Sequence, residues 1–552
     1  MEEPSRTTAE LLVECLENEG VTHVFGIPGE ENIRFIEALS SSTIDYVLTR
    51  HEQGASFMAE VYGRLTGRAG VCSATLGPGA INLLLGVADA TTNSTPLLAI
   101  SAQVGMGRSY KESHQGVDLV SMFAPVTKWS ALVATPSAVP EMVRKAFKLA
   151  QTERPGAVYL AVPEDVEAAA RPSEAGPLRV NVPRPDDPSA AQVERAAEIL
   201  RSARNPVLLA GHGAARAEAS EAVRRFAESL DIPVATTFHG KGVMPDDHPL
   251  ALGAVGFMRH DYVNFGFDQA DAIVAVGYEL QEFDPVRINP RGDTRIIHIH
   301  RFPAEVDTHY DVAVGLQADI GRSLDALSAA VTREQSPSGG ERIRELLSDE
   351  LDRGRADDSF PLAPARIVAD TRAALQRNDI VLVDTGALKM WMARLYPTYE
   401  PNTCLISNGL STMGWTLPGA IAAKIARPSA KVLVATGDGA FLMNSQEIET
   451  ALRIKTPIVI LIWVDDAYGL ISWKMDLEIG HNVDTNFKNP DFVAYAESFG
   501  AKGYRISAAD KLLPTLRQAL EDDTVSVIAC PVDYSANSAL IASLGELDES
   551  LS

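Results

Sequence analysis

Cysteine is the scarcest constraint in this chain. Four occur in 552 residues, at Cys15, Cys72, Cys404 and Cys530, and none stands at metal-ligand spacing from another. That excludes a disulfide framework or a cysteine-held metal, and predicts buried free thiols in a reducing compartment, the cytoplasm. Basic residues are outnumbered, 49 Lys and Arg against 73 Asp and Glu, for a net charge of −24. Such a balance disfavours nucleic acid or an anionic membrane surface as a partner. No uninterrupted apolar run approaches the ~20 residues of a membrane span. The first ten residues, MEEPSRTTAE, are too acidic and polar for a secretion signal. Aromatics reach only 6% beside 46% hydrophobic residues, so the core falls to Ala, Val and Leu, the ordinary make-up of a soluble α/β protein. The length predicts about three domains.

What the chain does have is concentrated between Lys431 and Gly469. An apolar run, Val432 to Ala435, stops at Gly437-Asp438-Gly439; an amphipathic segment, Ser445 to Ile454, follows; a second run, Ile458 to Val464, ends at Asp465-Asp466. This is the strand, turn, helix, strand order of a parallel βαβ unit. Asn444 and Glu447 have the spacing of a capping box, which predicts the helix start there. Ligands of parallel sheets sit beyond the carboxyl ends of the strands, which places the Asp438 and Asp465 carboxylates in one small volume. A helix N-terminus there favours an anion. Two carboxylates and an anion coexist when a divalent cation with oxygen ligands, such as Mg²⁺, lies between them. Taken alone, Gly-Asp-Gly is equally a strand-ending turn. A dinucleotide loop is disfavoured, since Leu442 stands where the third glycine is needed.

The N-terminal third repeats the same alternation. Thr8 to Glu19 is an amphipathic helix; Val21 to Phe25, Tyr46 to Leu48, Val71 to Thr75, Pro96 to Ala102 and Ala157 to Val162 are strands. They are interrupted by Gly26-Ile27-Pro28-Gly29, by Arg50-His51-Glu52-Gln53-Gly54-Ala55, and by Gly77-Pro78-Gly79. Glu52 falls at a strand-to-helix junction, where an acid is stabilised by the helix dipole without any further role.

Gly437-Asp438-Gly439 followed 25 residues on (440–464) by Asp465 resembles the signature of the thiamine diphosphate enzymes. FGIPG, RHEQGA and TLGPGAINL, in that order, resemble the pyrimidine-binding domain of the acetohydroxyacid synthase group. The resemblance runs from FGIPG to the final PVDYSAN, and covers nearly the whole chain. It implies three parallel-sheet α/β domains: pyrimidine-binding (1–170), central (191–330) and pyrophosphate-binding (365–552). It implies Mg²⁺ held by Asp438, Asp465 and the Ala467 carbonyl; many relatives have Asn where this chain has Asp465. Thiamine diphosphate contacts fall on Ile27, Pro28, Glu52, Thr75, Asn82, Gly386, Ala387, Met413, Asp438, Gly439, Ala440, Asp465, Ala467, Tyr468, Gly469 and Leu470. Glu52 becomes the carboxylate that shares a proton with the cofactor's pyrimidine ring. Met413, in Ser407-Asn408-Gly409-Leu410-Ser411-Thr412-Met413-Gly414, becomes the apolar wedge that bends the cofactor; on residue type alone it is as good a flexible core filler. Relatives often carry His or Gln at the positions of Ala387 and Leu388, which leaves backbone N–H groups for the diphosphate here.

Within the group, His114-Gln115 resembles the catabolic acetolactate synthases, whereas the biosynthetic ones have Phe before Gln. Gln115 and Lys128 are then catalytic candidates, although both also read as exposed loop residues. Lys474 stands where biosynthetic relatives carry Trp. The central segment Gly277-Tyr278-Glu279-Leu280-Gln281-Glu282-Phe283-Asp284-Pro285 lacks the Arg-Phe-Asp-Asp-Arg pattern of FAD-bearing members, so FAD is not expected. The implied reaction condenses two molecules of pyruvate, a small 2-keto acid, into 2-acetolactate with loss of CO₂. Another 2-keto acid decarboxylase, carboligase or acetyltransferase of the same family is the alternative. The family's architecture implies a homodimer or homotetramer with sites at the subunit interface.

Overall fold

The computed structural model describes residues 6–181, 184–256, 262–332 and 340–537. Its apolar runs form three six-stranded sheets in which every pairing is parallel. The first sheet comprises β1 (His23–Gly26), β2 (Asp45–Leu48), β3 (Gly70–Ala74), β4 (Leu97–Gln103), β5 (Trp129–Leu132) and β6 (Ala157–Pro163), in the order β2-β1-β3-β4-β6-β5. The second comprises β7 (Pro206–Ala210), β8 (Val234–Thr236), β9 (Ala251–Ala254), β10 (Ala272–Val276), β11 (Arg295–His300) and β12 (Val312–Gln317), in the order β12-β11-β10-β7-β8-β9. The third comprises β13 (Ile380–Val383), β14 (Cys404–Ile406), β15 (Val432–Gly437), β16 (Val459–Val464), β17 (Lys502–Arg505) and β18 (Ser526–Pro531), in the order β14-β13-β15-β16-β18-β17.

The interior strands are buried on both faces, β4 and β6 at every residue, which is why they read as unbroken apolar runs. The strands β5, β9, β12, β14, β17 and β18 are among those not anticipated from the sequence. Five of these lie at sheet edges. Of these, β5, β12 and β17 are half-solvated, as in the Lys502–Arg505 pattern of exposed and half-buried residues, while β9 and β14 are largely buried but only three or four residues long, so no apolar run announces them.

By internal contacts the chain forms two compact units. One is built of Met1–Arg184, Gly409–Ser429 and Asn444–Thr456, the other of Pro185–Asn408, Ala430–Met443 and Pro457–Ser552. In the first, Val24, Val71, Leu98, Ile100, Val158 and Leu160 of the sheet pack on Leu11, Leu12, Val143 and Phe147 of its helices. In the second, one core runs from Leu209 and Ile273 of the middle sheet to Leu382's neighbours Val381 and Val383, and on to Leu433, Leu461 and Trp463 of the third. Each such side chain contributes about 1.5–3 kcal/mol on burial.

The helix expected over Ser445 to Ile454 forms as Glu447–Arg453, and a further helix, Asp438–Asn444, precedes it where only a turn was expected. The capping box does not form. Asn444 donates instead to the Gly414 carbonyl at 2.8 Å, and the Glu447 carboxylate accepts from the N–H groups of Arg50 and His51. Tertiary partners outbid the local pairing. Elsewhere local signals hold: Asp491 caps the helix Phe492–Phe499, which stops at Gly500 with φ of 88°.

Candidate active site

In the third sheet, chain order reverses between β13 and β15, so a crevice opens beyond their carboxyl ends. Asp384 leaves β13 and is fully buried; its Oδ2 accepts from Thr436 Oγ1 at 3.0 Å, which ties the two strand ends together. Gly386 follows with φ of 152° and ψ of −168°, a conformation only glycine takes readily, and the helix Ala387–Leu395 begins immediately after it. Asp438 opens the next helix at the end of β15 and is almost wholly buried.

Asp438 gathers donors. Its Oδ1 accepts from Gly439 N (2.8 Å), and its Oδ2 accepts from Asp465 N (3.1 Å), Asp466 N (2.7 Å) and Asn489 Nδ2 (2.8 Å). Burial raises its pKa while these four hydrogen bonds oppose the rise. Asp465, at the end of β16, is raised by burial first and by the negative charge of Asp438 second. A Cβ added to Gly469 would lie 2.3 Å from Asp465 Oδ2, so that carboxylate occupies the space a side chain at 469 would need. Ala467 makes an isolated antiparallel bridge with Asn486. The bonds flanking it run from Tyr468 N to Thr485 O (2.9 Å) and from Phe487 N to Asp466 O (3.0 Å), leaving the Ala467 carbonyl outside the pairing.

This donor set fits a hard divalent cation. Two desolvated, mutually repelling carboxylates and a backbone carbonyl are oxygen ligands of the kind Mg²⁺ takes with phosphate oxygens. Among the described residues no group of three or more His, Cys, Asp or Glu is placed to hold a metal. The remaining ligands must therefore come from a bound anion or water. Asn489 Oδ1 is a further oxygen beside Asp438 that is buried without a hydrogen-bond partner among the described residues. The structure thus draws together Asp438, Gly439, Asp465, Ala467 and Gly469, while Tyr468 stands as a half-exposed ring whose Cε1 is 2.8 Å from where a Gly439 Cβ would be. Ala440 is buried in the same helix, and Leu470 is in the first turn of the helix Gly469–Ile479.

The first sheet also reverses order between its first and third strands, β1 and β3. The half-buried Ile27 and exposed Pro28 form the turn after β1, and Thr75 follows β3, donating to Glu31 Oε2 at 2.7 Å. Glu52 is the first residue of the helix Glu52–Thr66, and its Oε2 accepts from Asn82 Nδ2 at 3.0 Å. A Gly79 Cβ would lie 3.2 Å from Glu52 Oε1, so the Gly77-Pro78-Gly79 turn runs along this carboxylate. Gln115 is exposed with φ of 56°, and its carbonyl lies 2.8 Å from a Gly77 Cβ position, so its loop borders the same turn.

Lys128 is placed differently. Its Nζ donates to the carbonyls of Leu149 (2.5 Å) and Thr152 (2.7 Å), at the end of the helix Val139–Gln151. Burial lowers its pKa to about 8, and Glu153 works against that. The ammonium serves as a helix C-cap.

Met413 is half-buried in a loop tied down on both sides: Gly409 N donates to Asn93 Oδ1 (3.1 Å), Thr412 Oγ1 to Asp89 Oδ1 (3.2 Å), and Asn444 to Gly414 O. Ser411 and Gly414 have φ of 56° and 77°. Asn489 and Glu447 escaped the sequence reading. Asn489 lies 51 residues from Asp438 with no local signal. Glu447 was legible only as half of a capping box with Asn444.

At the switch point of the middle sheet, between β7 and β10, the crevice is packed with the chain's own groups. The fully buried Glu279 pairs with Arg216 at 2.6 Å and lies 3.7 Å from His300 Nε2. Glu282 accepts from His212 N and Thr237 Oγ1, and burial pushes it up to about 8. A Gly213 Cβ would be 2.4 Å from His300 Nε2.

Three family patterns cover most of the chain: thiamine pyrophosphate enzyme, N-terminal TPP binding domain over residues 6–122, central domain over 193–327, and C-terminal TPP binding domain over 384–530. An acetolactate synthase of Bacillus subtilis (strain 168) is 35% identical, covering 96% of this chain and 94% of its own length. A catabolic acetolactate synthase of Raoultella terrigena is 34% identical, covering 97% of each. A probable acetolactate synthase large subunit of Methanocaldococcus jannaschii is 36% identical, over 93% and 89%. No described helix is long and apolar enough to cross a membrane. With these matches running the length of all three sheets, the chain belongs to the thiamine pyrophosphate enzymes, in their acetolactate synthase family.

Proposed function

We propose that this protein condenses two molecules of pyruvate into 2-acetolactate with release of CO₂, using thiamine diphosphate and Mg²⁺ and no flavin. The observation that carries the reading is the Asp438–Asp465 pair, two desolvated carboxylates at a parallel-sheet switch point. When bound, thiamine diphosphate supplies the electron sink that a 2-keto acid needs to lose CO₂ and join a second keto acid. Asp438, Asp465 and the Ala467 carbonyl hold Mg²⁺ and through it the diphosphate. Backbone N–H groups at Gly386 and Ala387, at a helix start, complete the anion site. Glu52, oriented by Asn82, holds and returns the proton at the pyrimidine nitrogen. Met413 wedges against the cofactor, and Gln115 donates to the carbonyl of the acceptor. Lys128 has no catalytic part in this reading, because its charge is spent on two carbonyls.

The protein acts as a homodimer or homotetramer with Glu52 and Asp438 of different subunits serving one site. Exposed apolar side chains beside both carboxylates support it: Ile81 and Leu85 on the helix of Asn82, Leu442 and Met443 on the helix of Asp438. The four buried free cysteines suit the cytoplasm. The filled middle-sheet crevice supports the flavin-free, catabolic type. The test is product identification after incubation with pyruvate, thiamine diphosphate and Mg²⁺. Acetolactate at full rate from colourless protein is expected. Acetaldehyde or an acetyl-transfer product in its place overturns the assignment, and activity that appears only with added FAD overturns its catabolic part.

A further inference from the structure

Glu447 is fully buried and has no part in the chemistry above. Its Oε1 accepts from Arg50 N at 3.1 Å and His51 N at 3.0 Å, and its Oε2 from Thr450 Oγ1 at 2.6 Å. A Cβ on Gly54 would lie 2.7 Å from Oε1, so there is room for this carboxylate only because residue 54 has no side chain. From the other end of the same short helix, Arg453 Nη2 donates to the Leu48 carbonyl. The helix Glu447–Arg453 therefore grips the β2-to-helix turn at Leu48, Arg50 and His51, directly before Glu52. Burial pushes the Glu447 carboxyl up to about 7, a desolvation cost that an apolar residue would not incur.

We propose that Glu447 is a positioning residue for Glu52: by fixing the Arg50 and His51 backbone it sets where the Glu52 carboxylate stands. This rests on the reading of Glu52 as the proton-handling group. A side chain leaving the first residue of a helix takes its direction from the backbone just before it, and a misplacement of about 1 Å costs about a hundredfold in rate.

The test compares Glu447→Ala, Glu447→Gln, Gly54→Ala and Glu52→Gln in the full-length protein. Amide hydrogen exchange of the peptide containing Arg50 and His51 is read alongside steady-state kinetics with pyruvate. Glu447→Ala should lose protection at those amides and lower kcat about a hundredfold, with KM changed less than about threefold. Glu447→Gln keeps an acceptor oxygen, so protection returns, with at least about half the turnover. Gly54→Ala should reproduce the loss by displacing Glu447, and should add little in the Glu447→Ala background. It carries the test if Glu447→Ala does not fold. Wild-type kcat in Glu447→Ala or Gly54→Ala while Glu52→Gln is inactive overturns the positioning role alone. So does a Glu447→Gln as impaired as Glu447→Ala. Wild-type turnover in Glu52→Gln overturns the Glu52 reading and the positioning role with it.

Discussion

The first and third sheets have the same strand order, second-first-third-fourth-sixth-fifth in chain sequence, and the same switch point between their first and third strands. What they carry there differs. The first offers Glu52, with an amide partner in Asn82 and a glycine turn alongside, while its other acid there, Glu31, is taken up by Thr75. The third offers two acids that share a buried site, where the charge of Asp438 raises Asp465, with backbone N–H groups turned onto Asp438. On the function proposed above, one scaffold thus yields a proton-handling end and a cation-holding end. The topology sets where each site is; the side chains at the strand ends set which kind it is.

The contrast breaks most sharply at Glu52. Glu52→Gln should lower turnover about a thousandfold, as expected for loss of an acid–base group, with thiamine diphosphate affinity nearly intact. Calorimetric titration of the cofactor alongside steady-state rates checks both halves. Asp438→Ala should show the converse: about a hundredfold weaker Mg²⁺-dependent cofactor binding, since Asp465 alone supplies too few oxygen ligands to hold the cation that offsets the diphosphate. Equal affinity in the variant and the wild type would erase the distinction between the two ends. Asp465→Asn keeps an oxygen ligand and should cost about tenfold or less in the same titration. Gly469→Ala places a Cβ against Asp465 Oδ2 and should weaken Mg²⁺ binding to a similar degree without touching a ligand.

The smallest effect sharpens the comparison through pH. A glutamate ionises near 4.3 in an unfolded chain, whereas burial raises Glu447 to about 7. Between those values the folded chain holds a proton that the unfolded chain has released, so this group's contribution to stability falls as pH rises through that window. Glu447→Gln has no such titration. Its melting temperature relative to wild type should therefore rise steadily from about pH 5 to about pH 8, and a difference independent of pH would contradict the raised value.

By itself the sequence determined the three parallel sheets, because strands buried on both faces must be apolar throughout, and it marked the residues at their ends on which the proposed chemistry rests. Gly-Asp-Gly with Asp465, the RHEQGA junction and the glycine turn after β3 are local patterns, and each lies at a strand end where such patterns have to be. Edge strands such as β5, β12 and β17 were illegible since half-solvated strands need no apolar run, and β9 and β14 since three or four residues are too few to make one. The Glu447 carboxylate looked like half of a capping box, because its true partners, Arg50 and His51, lie nearly four hundred residues away in sequence. Asn489 gave no sign at all, and nothing in the sequence around Lys128 pointed to the two helix-end carbonyls its ammonium meets. Only the tertiary structure decides these, since a buried polar group bonds to whichever partner the packing brings within reach, and sequence distance does not measure that reach.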